Sequence, residues 1–112
     1  MQPICWEDFE KIELRVGTVT AVEDFPEARK PAYKLTIDFG PEIGVKRSSA
    51  QITQLYKPDE IVGKQLVAVV NFPTKRIAGF PSEVLVTGFA RADGAVVLIA
   101  PTEPVPDGSK LF

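Results

Sequence analysis

The chain has 112 residues, 15 acidic against 13 basic, one cysteine and no histidine, for a net charge of −2. A length of this order allows one domain that buries roughly two-thirds of its unfolded surface, and the Cys and His counts exclude an internal disulfide, the usual zinc and haem sites, and Ser-His or Cys-His nucleophiles. The 45% hydrophobic, 25% charged composition is that of an ordinary globule; with no apolar run of 18 residues and an acidic start, MQPICWEDFE, the expectation is a cytoplasmic protein that neither inserts into a membrane nor carries a leader.

Cys5, Trp6, Phe9 and Ile12 fall at spacings of three and four, which predicts a short helix within Pro3 to Lys11. Cys5 is expected to pack there beside Trp6. From Ile12 the period changes to two, so Leu14, Val16, Thr18, Thr20 and Val22 are assigned one face of a long strand that can bend at Gly17. A loop, EDFPEARKP, precedes a second strand in which Tyr33, Leu35, Ile37 and Phe39 alternate with polar residues. A third strand is read from Ile43 to Ser48, then a helix over Ala50 to Tyr56, capped by Ser48 or Ser49 and closed at Lys57-Pro58. Val67 to Phe72 and Glu83 to Phe89 are the fourth and fifth strands, with Phe89 in the core. A short sixth, Ala95 to Ala100, follows the Asp93-Gly94 turn, and PTEPVPDGSKLF closes the chain as an extended tail.

Three strands, a helix and two further strands are the order of an OB-type barrel, with residues 1–112 forming one domain. The fold class is therefore all-β: a five-stranded OB barrel, a short helix between strands three and four, a short N-terminal helix and an extended tail. Trp6, Phe9, Leu111 and Phe112 are too apolar for free ends, and we expect them to meet across a two-fold homodimer interface larger than about 1,200 Å².

Charge is unevenly distributed. Ile43 to Arg91 holds seven cations (Lys46, Arg47, Lys57, Lys64, Lys75, Arg76, Arg91) against three anions (Asp59, Glu60, Glu83), a balance of +4, while the remainder stands at −6. A basic region on an acidic protein permits a selective polyanion site. Lys75 and Arg76 lie on a loop restrained by Pro73 and Pro81, where they suit a phosphate or form a solvated tip. Arg47, Ser48 and Gln51 supply donors able to read a phosphate and a base edge, although Ser48 also suits a helix cap. No spacing pairs Asp38, Glu42 or Glu83 for acid–base chemistry, so neither an enzyme nor a catalytic residue is expected; no cofactor or metal is expected either.

Four stretches carry a resemblance over nearly the whole chain: LRVGTV (14–19), FPEARKPAYKLTIDFG (25–40), KRSSAQIT (46–53) and VVNFPTKRIAGFPSEVLV (69–86). The chain resembles the tRNA-binding-domain family of OB-folds and, within it, the stand-alone homodimeric CsaA-type export chaperones. The resemblance implies a non-enzymatic chaperone of protein export, with unfolded or pre-export polypeptides as partners and a capacity to bind tRNA or structured RNA. The alternative is an RNA-binding protein with no chaperone role. It carries an RNA surface onto Arg47, Ser48, Ser49 and Gln51 on one side and Asn71, Lys75, Arg76, Ser82 and Glu83 on the other. An apolar peptide pocket falls around Phe72, Ile77 and Phe80, with the open alternative that Phe80 folds back over the barrel end.

Overall fold

The computed structural model describes residues 1–112. After the helix α1 (Trp6–Glu10) come β1 (Leu14–Asp24), β2 (Tyr33–Asp38), α2 (Gly40–Ile43), β3 (Val45–Ala50), α3 (Pro58–Ile61) and β4 (Gln65–Val69). Five short strands follow: β5 (Lys75–Ile77), β6 (Phe80–Ser82), β7 (Leu85–Val86), β8 (Gly88–Ala90) and β9 (Val96–Leu98). The main sheet has the antiparallel order β3-β2-β1-β4-β7 and curls until β3 meets the β6–β7 segment, giving the five-stranded OB-type barrel expected.

β1 serves both halves of the barrel, pairing with β4 over Leu14 to Thr18 and with β2 over Thr18 to Asp24. Gly17 gives it a close approach to the core, since an added Cβ there would lie 2.6 Å from Ile37 and 2.7 Å from Phe39, both fully buried, while its irregularity falls after Val19. The single-face alternation expected from Ile12 to Val22 is corrected here. A register shift between Val19 and Ala21 turns the strand over, so Val19 and Val22 join the barrel core, while Val16, also buried, and half-buried Leu14 lie outside that cluster. Tyr33, Leu35, Ile37 and Phe39 are buried, as their alternation requires.

The helix between β3 and β4 exists, but not over Ala50 to Tyr56. β3 runs through Ser48 and Ser49 to Ala50, and Pro58 opens α3 instead of ending a helix, its missing N–H being one that a first turn leaves unpaired. The Glu60 carboxylate accepts the Lys57 N–H at 2.9 Å, and Ile61 inserts into the core as the plug at that barrel end. The fifth strand is also shorter than expected. After β7 the Thr87 N–H and hydroxyl both donate to the Val67 carbonyl, and β8 leaves the barrel to pair with β9. Phe89 is therefore 70% exposed on that hairpin, not part of the core.

The tail lies against its own barrel. β2 ends before it can cover the first residues of β1, and residues 108–111 take that edge. Gly108 N–H donates to Val16 C=O, Val16 N–H to Ser109 C=O, and Leu111 N–H to Leu14 C=O. Arg15 donates to the Gly108 carbonyl at 2.9 Å, and Asp107 accepts the Thr18 hydroxyl at 2.7 Å. Glu13 receives both Arg15 and Lys110, and these hydrogen bonds, Arg15 foremost, hold its carboxyl below the ordinary glutamate range. Cys5 is exposed at the start of α1, a correction to its expected packing. Trp6 and Phe9 touch with ring centroids 5.3 Å apart and planes tilted by 51°; Trp6, Leu111 and Phe112 are exposed.

Candidate nucleic-acid interface and the groove beside it

The seam where the barrel closes determines what its residues can offer a ligand. Strands β3 and β7, the two ends of the main sheet, share no backbone ladder, and side chains help to close the seam. Glu83 N–H donates to Arg47 C=O at 2.8 Å, while the Glu83 carboxylate accepts Arg47 N–H at 3.0 Å. The Ser82 hydroxyl accepts Ser49 N–H at 3.0 Å, and the buried Ser48 hydroxyl donates to the Val84 carbonyl at 2.8 Å. Ser48 is thus a seam residue and caps no helix. Asn71 braces the barrel in a comparable way, since its side chain accepts Glu13 N–H and donates to Lys11 C=O, fixing the link between α1 and β1 to the end of β4.

On one side of this seam opens a cleft of about 960 Å³. Its floor holds Ser49 and Gln51 after β3; one wall is the β1–β2 loop with Arg29 and Lys30, the other the β5–β6 hairpin with Lys75 and Arg76. No carboxylate lines it, and none of the four cations is in a salt bridge; Arg76 donates only to the Gly79 carbonyl at 3.1 Å. Four exposed cations with no carboxylate beside them give this concavity a positive field of the kind that suits a polyanion. The hairpin holds its pair out through a two-residue turn, Ala78-Gly79, in which both residues have positive φ (47° and 80°).

A second hollow, about 570 Å³, adjoins the first across the hairpin and shares Ser49, Lys75 and Ile77 with it. Phe72, Pro73, Ile77, Val84 and Leu85 give it an apolar lining, with Phe72 56% and Leu85 52% exposed. Ser49, Thr74, Lys75, Ser82 and Glu83 supply its polar lining.

Of the residues expected to bind RNA, Ser49, Gln51, Lys75 and Arg76 meet at the cleft. Arg47 is engaged elsewhere: its guanidinium pairs with Glu23 at 2.6 Å and lies 4.8 Å from the Phe80 ring centroid. Ser48, Ser82 and Glu83 are in the seam, and Asn71 is on the α1 side. Of the expected apolar anchors, Phe72 and Ile77 line the groove; Phe80 is 6% exposed and packs on Phe25 and Ala32, neither in the groove nor in the barrel core. Arg29 and Lys30 were missed because Glu23, Asp24 and Glu27 submerge them in a locally acidic loop; their adjacency, matching that of Lys75 and Arg76, was the available signal. Asp38 accepts the Gly40 N–H and turns the chain, and no group of three or more His, Cys, Asp or Glu side chains is placed to hold a metal.

A small OB barrel with a cationic cleft between its first loop and a projecting hairpin defines a class of nucleic-acid-binding modules. Residues 14–110 match the family described as "Putative tRNA binding domain", and the chain belongs to that family. The chain is 54% identical to the chaperone CsaA from Bacillus anthracis str. Ames (TM-score 0.93, covering 99% of this chain and 100% of that one). It is 55% identical to the CsaA chaperone protein from Picrophilus torridus (TM-score 0.91, 98% and 100%). Among curated proteins, the methionine–tRNA ligase of Porphyromonas gingivalis ATCC 33277 is 36% identical over 110 residues, 98% of this chain but 16% of the ligase. The chain thus spans about a sixth of the length of the ligases it matches.

Proposed function

We propose that this protein is a non-enzymatic chaperone of the protein export pathway that holds apolar segments of unfolded or pre-export polypeptides, and that it also binds structured RNA such as tRNA. The apolar groove carries the first part: exposed Phe72 and Leu85 flank a hollow that alternate side chains of an extended segment fit, with polar groups at the rim for its backbone. The full-length likeness to CsaA chaperones supports the same reading. A fluorescently labelled, permanently unfolded polypeptide should bind the protein, and Phe72→Ala with Ile77→Ala should weaken that binding at least tenfold. No complex, or no effect of the pair, would refute it.

The RNA activity is carried by the four-cation cleft. No aromatic side chain lines it, so recognition falls to phosphates and shape instead of stacked bases. Filter binding of tRNA with Lys75→Ala and Arg76→Ala tests it, and unchanged affinity would refute it. The working unit in this proposal is a cytoplasmic homodimer of one OB domain per chain, joined through Trp6, Phe9, Leu111 and Phe112. Light scattering of the protein and of Trp6→Ala/Phe112→Ala distinguishes dimer from monomer. Truncating the tail would be a poor substitute, because residues 105–111 are bonded to their own β1 and β4.

A further inference from the structure

The two walls of the basic cleft belong to different parts of the chain, and neither is part of the main sheet. The β1–β2 loop carries Arg29 and Lys30. The β5–β6 hairpin, with Lys75 and Arg76, forms a ladder only with itself. Two adjacent pairs of like charges repel, so the arrangement needs an attractive element that is not electrostatic. That element is a satellite core, separate from the barrel's core of eleven residues: Phe25 and Ala32 from the loop and Phe80 from the hairpin, 4%, 7% and 6% exposed. The two rings meet edge to face at 5.5 Å. Ala28 and Ile77 pack against them and also line the cleft, so the satellite core lies directly behind the cationic walls.

Its barrel side is covered by cations that do not belong to the cleft. The Lys34 ammonium lies 4.8 Å from the Phe25 centroid and 5.3 Å from that of Phe80, and Arg47 covers Phe80 while tied to Glu23. These contacts are of cation–π type and fix the rings from the barrel side.

We propose that the Phe25–Phe80 contact is the positioning device of the RNA site, locking loop and hairpin into one four-cation receptor. It rests on the RNA reading of the cleft above. With the contact in place, four cations meet an RNA backbone at fixed separations and little ordering entropy is lost on binding. Without it the hairpin keeps its bond to β3 at Ser82, but its tip and the β1–β2 loop lose their common support and the same charges become two independent pairs.

The test is a cycle of variants on the intact chain: Phe80→Ala, Phe80→Leu, Arg29→Ala/Lys30→Ala, and the combination of Phe80→Ala with that pair. Each is measured for tRNA affinity across a salt series and for amide exchange. Phe80→Ala should remove about half of the salt slope that the four cations contribute, because only one wall still engages at a time. Neutralising Arg29 and Lys30 should then cost far less in the Phe80→Ala background than in the parent. Exchange should accelerate across 25–32 and 75–82 but not across β1 to β4, and Phe80→Leu should restore part of both signals. A Phe80→Ala protein with the parent slope and additive losses, or with exchange unchanged in the two walls, overturns the proposal. If the parent itself shows no salt-dependent tRNA binding, the RNA reading fails instead, and the exchange arm still decides whether the clamp exists.

Discussion

Replacing all four cleft cations, Arg29→Ala/Lys30→Ala/Lys75→Ala/Arg76→Ala, tests the site through a quantity that the structure bounds. Each phosphate neutralised contributes about 0.7 to 0.9 to the slope of log affinity against log salt, the lower figure for single strands. Four cations with no carboxylate partner can therefore supply a slope of about 3. A fourfold rise in salt, from about 50 to about 200 mM, would weaken such a contact roughly 60-fold. In the quadruple variant that share disappears, and the loss over the same interval should be only what the rest of the surface contributes. Arg29→Ala/Lys30→Ala alone should remove about half of it. Neutralising Lys57 and Lys64, which line no part of the cleft, should leave the slope unaltered. The assay is fluorescence anisotropy with labelled tRNA at five or more salt concentrations. A quadruple variant with the parent slope, or a Lys57/Lys64 variant that loses as much, would refute the placement of the site.

Gly17→Ala drives a methyl group to within 3 Å of Ile37 and Phe39; overpacking of this kind costs about 1–3 kcal/mol, or about 4–12 °C in Tm for a chain this long, read by differential scanning calorimetry. Ser82→Ala leaves the Ser49 N–H without its acceptor at the seam and should lower stability by about 1–3 kcal/mol in urea unfolding, with Ser82→Thr milder. Ala78→Asn places an Asn-Gly pair in a turn where Ala78 has φ 47°, and should raise Tm by a few degrees, about 1 kcal/mol; a fall in Tm would contradict the turn assignment. Because the Glu13 carboxyl is held below its ordinary value when folded, its contribution is complete above the unfolded glutamate pKa and is lost as pH falls through the folded one. Glu13→Gln should therefore lower stability at neutral and alkaline pH, with the difference from the parent closing as pH falls through the glutamate range.

The barrel was legible wherever a strand kept one register. Tyr33, Leu35, Ile37 and Phe39 alternate without a bulge, and all four are buried. β1 misled because its bulge after Val19 exchanges faces midway, which the residue pattern does not encode. Ser48 and Ser49 looked like a helix cap because hydroxyls also complete strand edges, and only the proximity of Ser82 and Val84 decides between the two. At the site, Lys75 and Arg76 stood out against neutral neighbours, whereas Arg29 and Lys30 were masked by acids that line no part of the cleft. The motif residues Ser48, Ser82, Glu83 and Asn71 carry the family resemblance, yet in this structure they close and brace the barrel. Their recurrence in the motif is as readily a demand of architecture as of ligand.

The strip that residues 108–111 lay along β1 also bears on how the chain reaches this state. Leu14 and Val16 present unpaired N–H and C=O groups until a segment more than ninety positions downstream arrives, as when Val16 N–H meets the Ser109 carbonyl. Any form lacking residues 108–111, whether nascent on a ribosome or nicked by a protease, exposes a bare strand edge beside Leu14 and Val16, which is a template for pairing with another chain. Such forms should aggregate more readily than their remaining core would suggest, and a short peptide spanning residues 107–112, added in excess, should suppress it.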